Sequence, residues 1–282
     1  MAVPPTLLEP SPVTTAKAEQ NAIIFEDVAI SFEQNNVLDG ISFQLARGES
    51  KAIFGVAGSG KSTILKLTLG LLKPDRGHIY VLGHDVTQMG EEDLFELRRK
   101  IGIVFQEGAL FDSLTVRENV AFRLMEEGSA SAEEIEQRVR ESLRFVELEH
   151  TLDMFPAELS GGMRRRVAIA RAIITQPEVL LYDSPTGGLD PVTSTTIVEL
   201  IVKQRDVYKT SSLLVSHRLQ DAFTMATHYF DRRENKMKPL PPGSHAEVPM
   251  NFIVLCDGKV IFDGDAHALA ESKDEYIREY IS

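Results

Sequence analysis

The residues that most clearly indicate chemistry form the segment GVAGSGKST, which runs from Gly55 to Thr63. It fits the pattern G-x-x-x-x-G-K-[ST] and lies between a predicted strand, SKAIF, and a predicted helix. Glycines let successive backbone amides turn toward phosphate oxygens, and the start of a helix adds the positive end of its dipole. The alternative is an ordinary glycine turn before a helix. The residues expected to contact phosphate are Gly55, Gly58, Ser59, Gly60, Lys61, Ser62 and Thr63.

A second candidate group is the aspartate that ends the apolar strand VLLYD, Val179 to Asp183. Ligands in open α/β sheets bind at the carboxyl ends of parallel strands, so Asp183 is expected close to the phosphate loop. Ser62 and Asp183 would then hold Mg²⁺, directly or through water, while Lys61 supplies a point charge to the outer phosphates. An aspartate at the end of a strand is by itself more often an ordinary loop residue. The Mg²⁺ role of Asp183 is therefore inferred from its combination with the phosphate loop at Gly55.

The segment LSGGMRRRVAIARA, which begins at Leu159, resembles the signature motif of the ABC ATPases. Other matches occur in the order in which that family carries them, and the resemblance covers about residues 22–282. They are Phe32, like the aromatic that stacks on adenine; Gln106, like the Q-loop glutamine that reaches Mg²⁺; GGLD from Gly187 to Asp190, like the D-loop; and His217, like the switch histidine.

The resemblance implies a head-to-tail homodimer with two ATP molecules between the subunits. Ser160, Gly161 and Gly162 would face the γ-phosphate held by the other subunit, and Asp190 would belong to the same composite site. Ser-Gly-Gly at the start of a helix is also an anion site on physical grounds. Three alternatives stay open: Ser160 as an ordinary N-cap, the run Arg164–Arg166 as a solvated face, and His217 as a structural histidine.

The stretch FQEGALFDSLTVRENVAF, Phe105 to Phe122, is similar to the ATPases of MCE-type, Mla-like lipid transport systems. Met163 in LSGGM and the segment PTGGLDP also resemble that group. The resemblance implies an integral-membrane permease as partner and, indirectly, an MCE-type lipid-binding protein. The chain would then be cytoplasmic and held at the inner face of the cell membrane by the permease. GALF would line the groove for the permease's coupling helix, or it could be plain core.

Two features depart from the family pattern. Ser184 follows Asp183 where the family carries a glutamate, and a serine hydroxyl has no useful basicity near pH 7. The chain could therefore hydrolyse ATP slowly, or be a pseudo-ATPase that only binds ATP, unless another group positions water. Glu107 is the nearest candidate in sequence, although a solvated loop carboxylate is its simpler role. The polar stretch 231–250, with its Pro-Pro-Gly, is interpreted as a surface loop insertion.

The elements that position these residues alternate between apolar strands and helices, which predicts a mostly parallel sheet. We therefore expect an α/β fold: a P-loop NTPase (RecA-like) core, an antiparallel β subdomain near the N-terminus and an inserted helical subdomain at about 87–160. Asp257-Gly258 predicts a β-hairpin. Residues 1–20 are expected to be a flexible tail, and 21–282 to be the ATPase domain.

The composition narrows the function classes. Among 282 residues the net charge is -12, which argues against broad nucleic-acid binding. No apolar stretch reaches the length of a spanning helix and no signal peptide is present, so we expect a soluble chain that reaches a membrane through a partner. One cysteine, Cys256, fits a reducing compartment and a half-buried strand position. A soluble ABC protein of translation or DNA repair is disfavoured because the chain has one cassette and no heptad run.

Overall fold

The computed structural model describes residues 19–33, 35–128, 130–241, 243–244 and 246–281. Most of the predicted tail, residues 1–18, lies outside the described residues. The strands are β1 (Asn21–Phe32), β2 (Asn35–Ala46), β3 (Ser50–Phe54), β4 (Arg76–Val81), β5 (His84–Asp85), β6 (Ile101–Val104), β7 (Val179–Asp183), β8 (Ser211–Val215), β9 (His228–Asp231), β10 (Lys236–Pro239), β11 (Met250–Cys256) and β12 (Lys259–Asp265). The helices are α1 (Lys61–Thr68), α2 (Glu91–Arg98), α3 (Val116–Glu127), α4 (Ala132–Phe145), α5 (Gly161–Ile173), α6 (Pro191–Tyr208), α7 (Leu219–Thr227), α8 (Ala266–Ala270) and α9 (Glu275–Ile281), with 3₁₀ turns at Glu149–Thr151 and Pro156–Glu158.

The central sheet has six strands in the order β12-β11-β3-β8-β7-β6. Every pair from β11 to β6 is parallel, and only β12 runs antiparallel at the edge. Alternate side chains of one strand point to opposite faces, so neighbours such as Ile53 and Phe54 enter two different apolar cores. The predicted mostly parallel α/β sheet is confirmed.

The first core joins the central sheet to the antiparallel sheet β2-β1-β4-β5. β1 pairs with β2 and with β4 in antiparallel register, as the short apolar runs near the N-terminus predict. The hairpin predicted at Asp257-Gly258 is likewise confirmed as the turn between β11 and β12. Cys256 is the last residue of β11 and is half-buried, as expected.

The second core joins the other face of the sheet to α3–α7, including the helices predicted as an inserted subdomain. The segment 87–160 is not purely a helical subdomain, because two of its elements belong to other parts of the fold. Its strand β6 is the edge of the central sheet, and the buried side chains of α2 belong to the opposite core. The predicted boundary differs because the strand IGIVF, which precedes Gln106, pairs with β7 of the central sheet and so interrupts the helical segment. Across the described residues, no helix combines the length and the hydropathy needed to cross a membrane.

The surface loop predicted at 231–250 is wrong for its first half. Residues 236–239 form β10, which pairs with β9 in a separate two-stranded sheet. Buried Arg205 holds the start of this hairpin, because its guanidinium donates to the carbonyl of His228 at 2.8 Å and pairs with Asp206, whose carboxylate accepts from the amide of Phe230. These long-range contacts decide the conformation, and composition alone does not contain them.

Candidate functional site

The candidate site lies where four neighbouring parallel strands end. Ile53 of β3 and Asp183 of β7 both pair with Val215 of β8, so the three strands finish at the same level. The phosphate loop leaves β3, Asp183 ends β7, His217 follows β8, and Gln106 follows β6. The site residues predicted on separate segments are therefore brought to one edge of the sheet, where open α/β sheets bind ligands.

The phosphate loop is held by the antiparallel sheet. Gly60, the N-cap of α1, has φ 90°, and a Cβ there would lie 2.7 Å from the side chain of Leu38 and 3.1 Å from that of Val37. Glycine is required at this position because both the left-handed backbone and the close approach exclude a side chain. The loop is thereby clamped between β2 and the start of a helix that points its free amides at the site.

Lys61 lies at the centre of this loop. Its ammonium donates to the carbonyls of Gly55 at 2.7 Å and Val56 at 2.8 Å, so the loop curls around the side chain. Burial lowers the pKa of Lys61, and the negative charge of Asp183 opposes that shift. A bound polyphosphate would favour the charged form of the lysine in the same way as Asp183, and more strongly.

Asp183 faces Lys61 and Ser62 from the end of β7. The hydroxyl of Ser62 donates to Oδ1 of Asp183 over 3.3 Å. Burial raises the pKa of the Asp183 carboxyl, although Ser62, Lys66 and Lys61 all favour its ionised form. One hydroxyl and one carboxylate, beside a loop suited to phosphates, match the sparse set of hard oxygen donors with which proteins hold Mg²⁺. The residues present therefore fit that ion.

Phe32 marks the other end of the candidate site. It is the last residue of β1 and pairs with Asn35 at the end of the β1–β2 hairpin, the hairpin whose Val37 and Leu38 cover the phosphate loop. Its ring is 43% exposed, which is unusual for a phenylalanine of a packed strand. A flat apolar surface is therefore available beside the phosphate loop.

Gln106 and His217 converge on Gly187. A methyl group built on Gly187 would lie 3.4 Å from Nε2 of Gln106 and 3.4 Å from Cε1 of His217. The histidine is exposed just beyond the end of β8. Ser184 begins the loop that ends at Gly187; it has φ 45° and is largely buried, and its carbonyl accepts from the Gly187 amide.

The signature segment begins helix α5. The Ser160 side chain accepts from the amide of Met163 at 3.2 Å, so Ser160 is an N-cap as the simpler alternative proposes, and it still leaves the first helical amides facing outward. A Cβ on Gly162 would lie only 2.4 Å from the methyl group of Thr193. Thr193 in turn donates its amide to Asp190, the N-cap of α6. The signature segment and the D-loop are therefore packed as one unit.

The run Arg164–Arg166 is not a solvated face. Arg165 is 6% exposed and donates to the carbonyl of Gly187 at 3.0 Å. Burial lowers the pKa of Arg165, and the nearby carboxylate of Glu107 opposes that shift. Arg164 and Arg166 donate to the carbonyls of Leu159 and Val146. All three guanidiniums therefore tie α5 to neighbouring loops, because free backbone carbonyls lie beside them.

Several residues that hold the site together were not predicted from the sequence. Arg171 donates to the carbonyls of Gly108 and Ala109, which links α5 to the segment after Gln106. Thr186 and Asp221 are joined by a buried hydrogen bond near His217. The available signal was weak, since Asp221 is only one of several charged residues within a few positions of His217 in the sequence.

Comparison with known proteins agrees with this geometry. Residues 38–187 match the family model described as ABC transporter, which is more than half of the chain. The chain belongs to the ABC transporter family. It is 38% identical over 263 residues to the chloroplastic protein TRIGALACTOSYLDIACYLGLYCEROL 3 of Arabidopsis thaliana, covering 90% of this chain and 71% of the relative. It is 31% identical over 261 residues to the intermembrane phospholipid transport system ATP-binding protein MlaF of Escherichia coli K12, covering 93% and 88%.

A solved structure gives the same conclusion for the fold and the activity. The dimeric ATP-binding cassette MJ0796, in a post-hydrolysis state with ADP and Pi, superposes with a TM-score of 0.72 at 30% identity. The match covers 86% of this chain and 98% of that one. The predicted P-loop NTPase fold is confirmed, and the chain is an ATP-binding ABC ATPase subunit.

Lys61→Ala should abolish productive nucleotide binding. The lysine is the one cation of the loop Gly55–Thr63, and a charge-assisted contact to phosphate contributes about 1.5–3 kcal/mol, equivalent to about a 10–100-fold loss of ATP affinity. Fluorescent-nucleotide titration and phosphate release measure the two effects. Lys73→Ala, at an exposed lysine beyond α1, is the matched charge control. Wild-type ATP affinity and turnover in Lys61→Ala would contradict the assignment of the loop.

Proposed function

We propose that this chain powers phospholipid transport between membranes, as the ATPase of a complex with an integral-membrane permease and an MCE-type lipid-binding protein. The similarity to MlaF, an intermembrane phospholipid transport system ATP-binding protein, supports this cargo. The observation that carries the proposal is an apolar groove beside the ATP site. ATP hydrolysis can move a cargo only if the ATPase contacts the membrane protein that carries it, and the groove offers a surface for that contact. The complex would place the chain on the cytoplasmic face of the membrane.

We assign the binding roles at one half-site as follows. Phe32 stacks on adenine, Lys61 neutralises the outer phosphates, and the loop amides from Gly55 to Thr63 hold the phosphate oxygens. Ser62, Asp183 and Gln106 hold Mg²⁺, which when bound neutralises charge that develops on the transferred phosphoryl group. His217, aimed at the same loop as Gln106, stabilises the γ-phosphate. The convergence of these side chains at one sheet edge supports the assignment.

The second half of the site comes from another copy of the chain in this proposal. Ser160, Gly161 and Gly162 form the start of helix α5, and Gly162 packs against Thr193 beside the D-loop. The start of a helix is suited to binding an anion, and in this proposal the anion is the γ-phosphate of the ATP held by the other subunit. The dimeric form of MJ0796 supports the same arrangement, with Asp190 at the junction.

The groove lies between α2, α3 and the segment after Gln106, and its volume is about 610 Å³. Its lining includes Phe95, Phe105, Phe111 and Phe122, which are 37–58% exposed. Plain core is therefore the wrong description of the GALF segment at Phe111. Aromatic side chains left exposed in one concave patch are typical of a protein-binding surface. A permease helix seated there would touch the segment that carries Gln106.

Phe95→Asp should separate the ATPase from its permease without disturbing ATP binding. Phe95 is 58% exposed, and the change replaces its apolar ring with a hydrated carboxylate, which costs free energy to cover with a partner helix. The measurement is recovery of membrane protein and bound phospholipid with the tagged full chain from detergent extracts. We expect at least a 10-fold loss for Phe95→Asp. Ile261→Asp is the control, since Ile261 is also exposed but lies on β12, at the opposite edge of the sheet from β6.

Two outcomes would contradict the parts of this proposal separately. Equal recovery of the same membrane protein with Phe95→Asp and with wild type would remove the groove as the docking site. A complex whose phosphate release is unchanged by phospholipid vesicles would remove phospholipid as the cargo, while leaving ATP hydrolysis intact.

Ser184 determines how the proposed hydrolysis proceeds. It occupies the position after Asp183, where the family carries the carboxylate that orients the attacking water. Its side chain cannot accept a proton near pH 7, so hydrolysis depends on positioning and charge stabilisation by Lys61, Mg²⁺ and His217. We propose slow hydrolysis for the isolated chain. The alternative, a pseudo-ATPase that binds ATP without hydrolysing it, rests on the same absence of a carboxylate at Ser184.

Ser184→Glu should raise ATP turnover. General-base or water-positioning help is typically worth about 10²–10⁴-fold, and part of that gain is expected if the backbone at φ 45° is retained. Steady-state phosphate release is compared for wild type, Ser184→Glu and Glu107→Gln. A fast wild type that Ser184→Glu fails to improve would show that another group positions water. If Glu107→Gln then abolished that rate, the catalytic carboxylate would be Glu107.

A further inference from the structure

Two side-chain hydrogen bonds and one ion pair connect four residues close to the candidate catalytic residues. The hydroxyl of Thr186 donates to Oδ2 of Asp221 at 2.5 Å. The same carboxylate lies 3.5 Å from Nε of Arg218, and Nη1 of Arg218 donates to the hydroxyl of Ser194 at 2.6 Å. Thr186, Ser194 and Asp221 are 2%, 1% and 8% exposed. Polar side chains at such a depth cost free energy unless they are hydrogen-bonded, so these contacts fix a defined arrangement.

These contacts join three segments that the ATP site uses. Thr186 directly precedes Gly187, the residue on which Gln106 and His217 converge. Ser194 lies in the first turn of α6, and its amide donates to the carbonyl of Asp190 in the D-loop. Arg218 directly follows His217. One carboxylate, Asp221, is therefore at the centre of contacts to the switch, the loop after Ser184 and the D-loop.

The backbone around His217 is fixed on both sides. Ser216 donates its amide to the carbonyl of Ile53 in β3, and its hydroxyl accepts from the amide of Arg218. Arg218 and Asp221 connect this segment to the loop at Gly187, because the Asp221 carboxylate contacts both Arg218 and Thr186. A displacement of about 1 Å in such a group can cost on the order of 10²-fold in rate.

We infer that Asp221, acting with Thr186 and Arg218, is the positioning centre that fixes His217 against the Ser184–Asp190 loop and thereby sets the rate of ATP hydrolysis. The inference rests on the proposed role of His217 at the γ-phosphate. Because Ser184 supplies no carboxylate to act as general base, hydrolysis in this chain depends more on accurate positioning than it would with a glutamate at that position. None of the three residues contacts the phosphate loop in the hydrogen bonds described, so the affinity for ATP is set elsewhere.

Thr186→Val tests this inference, since it removes the hydroxyl and keeps the shape of the side chain. In the full chain with ATP and Mg²⁺, kcat should fall about 10–100-fold while KM stays within about twofold. Thr186→Ser keeps the hydroxyl and should retain most of the rate. Thr224→Val, the same change at a half-buried position of α7, is the control. Arg218→Gln, at a half-exposed position that the core does not need, should lower kcat in the same way.

A double-mutant cycle separates positioning from plain stability. If Thr186 acts through His217, Thr186→Val should lower the residual rate of His217→Ala by less than about twofold. Wild-type kcat in both Thr186→Val and Arg218→Gln would overturn the inference, as would equal losses in Thr186→Val and Thr186→Ser. A fully additive cycle would overturn it as well. A wild type that binds ATP and never releases phosphate would instead overturn the proposed role of His217 and the inference with it.

Discussion

The parallel register of β3, β8 and β7 is the constraint on which the rest of the molecule depends. Because Ile53, Val215 and Asp183 lie side by side at the strand ends, the loops that follow must open into one space. A register shift of one residue would turn Asp183 to the opposite face of its strand, away from Ser62. The two apolar cores fill both faces of the sheet, and their packing holds that register.

The charged residues at these strand ends are surrounded by buried polar side chains that hold the neighbouring loops in place. Lys61 and Asp183 are each partly desolvated, which lowers the pKa of the lysine and raises the pKa of the aspartate. Phosphate and Mg²⁺ would reverse both tendencies. Behind them, Arg165 and Asp221 are buried and tie their helices to the same loop at Gly187 and Thr186. The loop after Ser184 is therefore held from two helices at once.

Local chemistry could be predicted from the sequence because each motif carries its own geometry. The phosphate loop needs only glycines, a lysine and a flanking strand and helix, and the hairpin at Asp257-Gly258 needs only its turn residues. Long-range pairing could not be predicted in this way. β10 forms because β9 is beside it, and Arg165 is buried because a carbonyl of Gly187 lies within reach. The resemblance implied a groove at GALF, but its lining could not be predicted, because Phe95, Phe105, Phe111 and Phe122 lie on separate elements that only the fold brings together.

The most direct test of the account is whether ATP joins two chains, because the signature segment and the phosphate loop would then contact one nucleotide. Light scattering of the full chain should shift from the mass of one chain to that of two on adding ATP and Mg²⁺, and EDTA should reverse the shift, since binding and association are linked. Ser160→Arg should bind ATP as a monomer. A wild type that stays monomeric with ATP bound, or dimerises equally without nucleotide, would contradict the composite site.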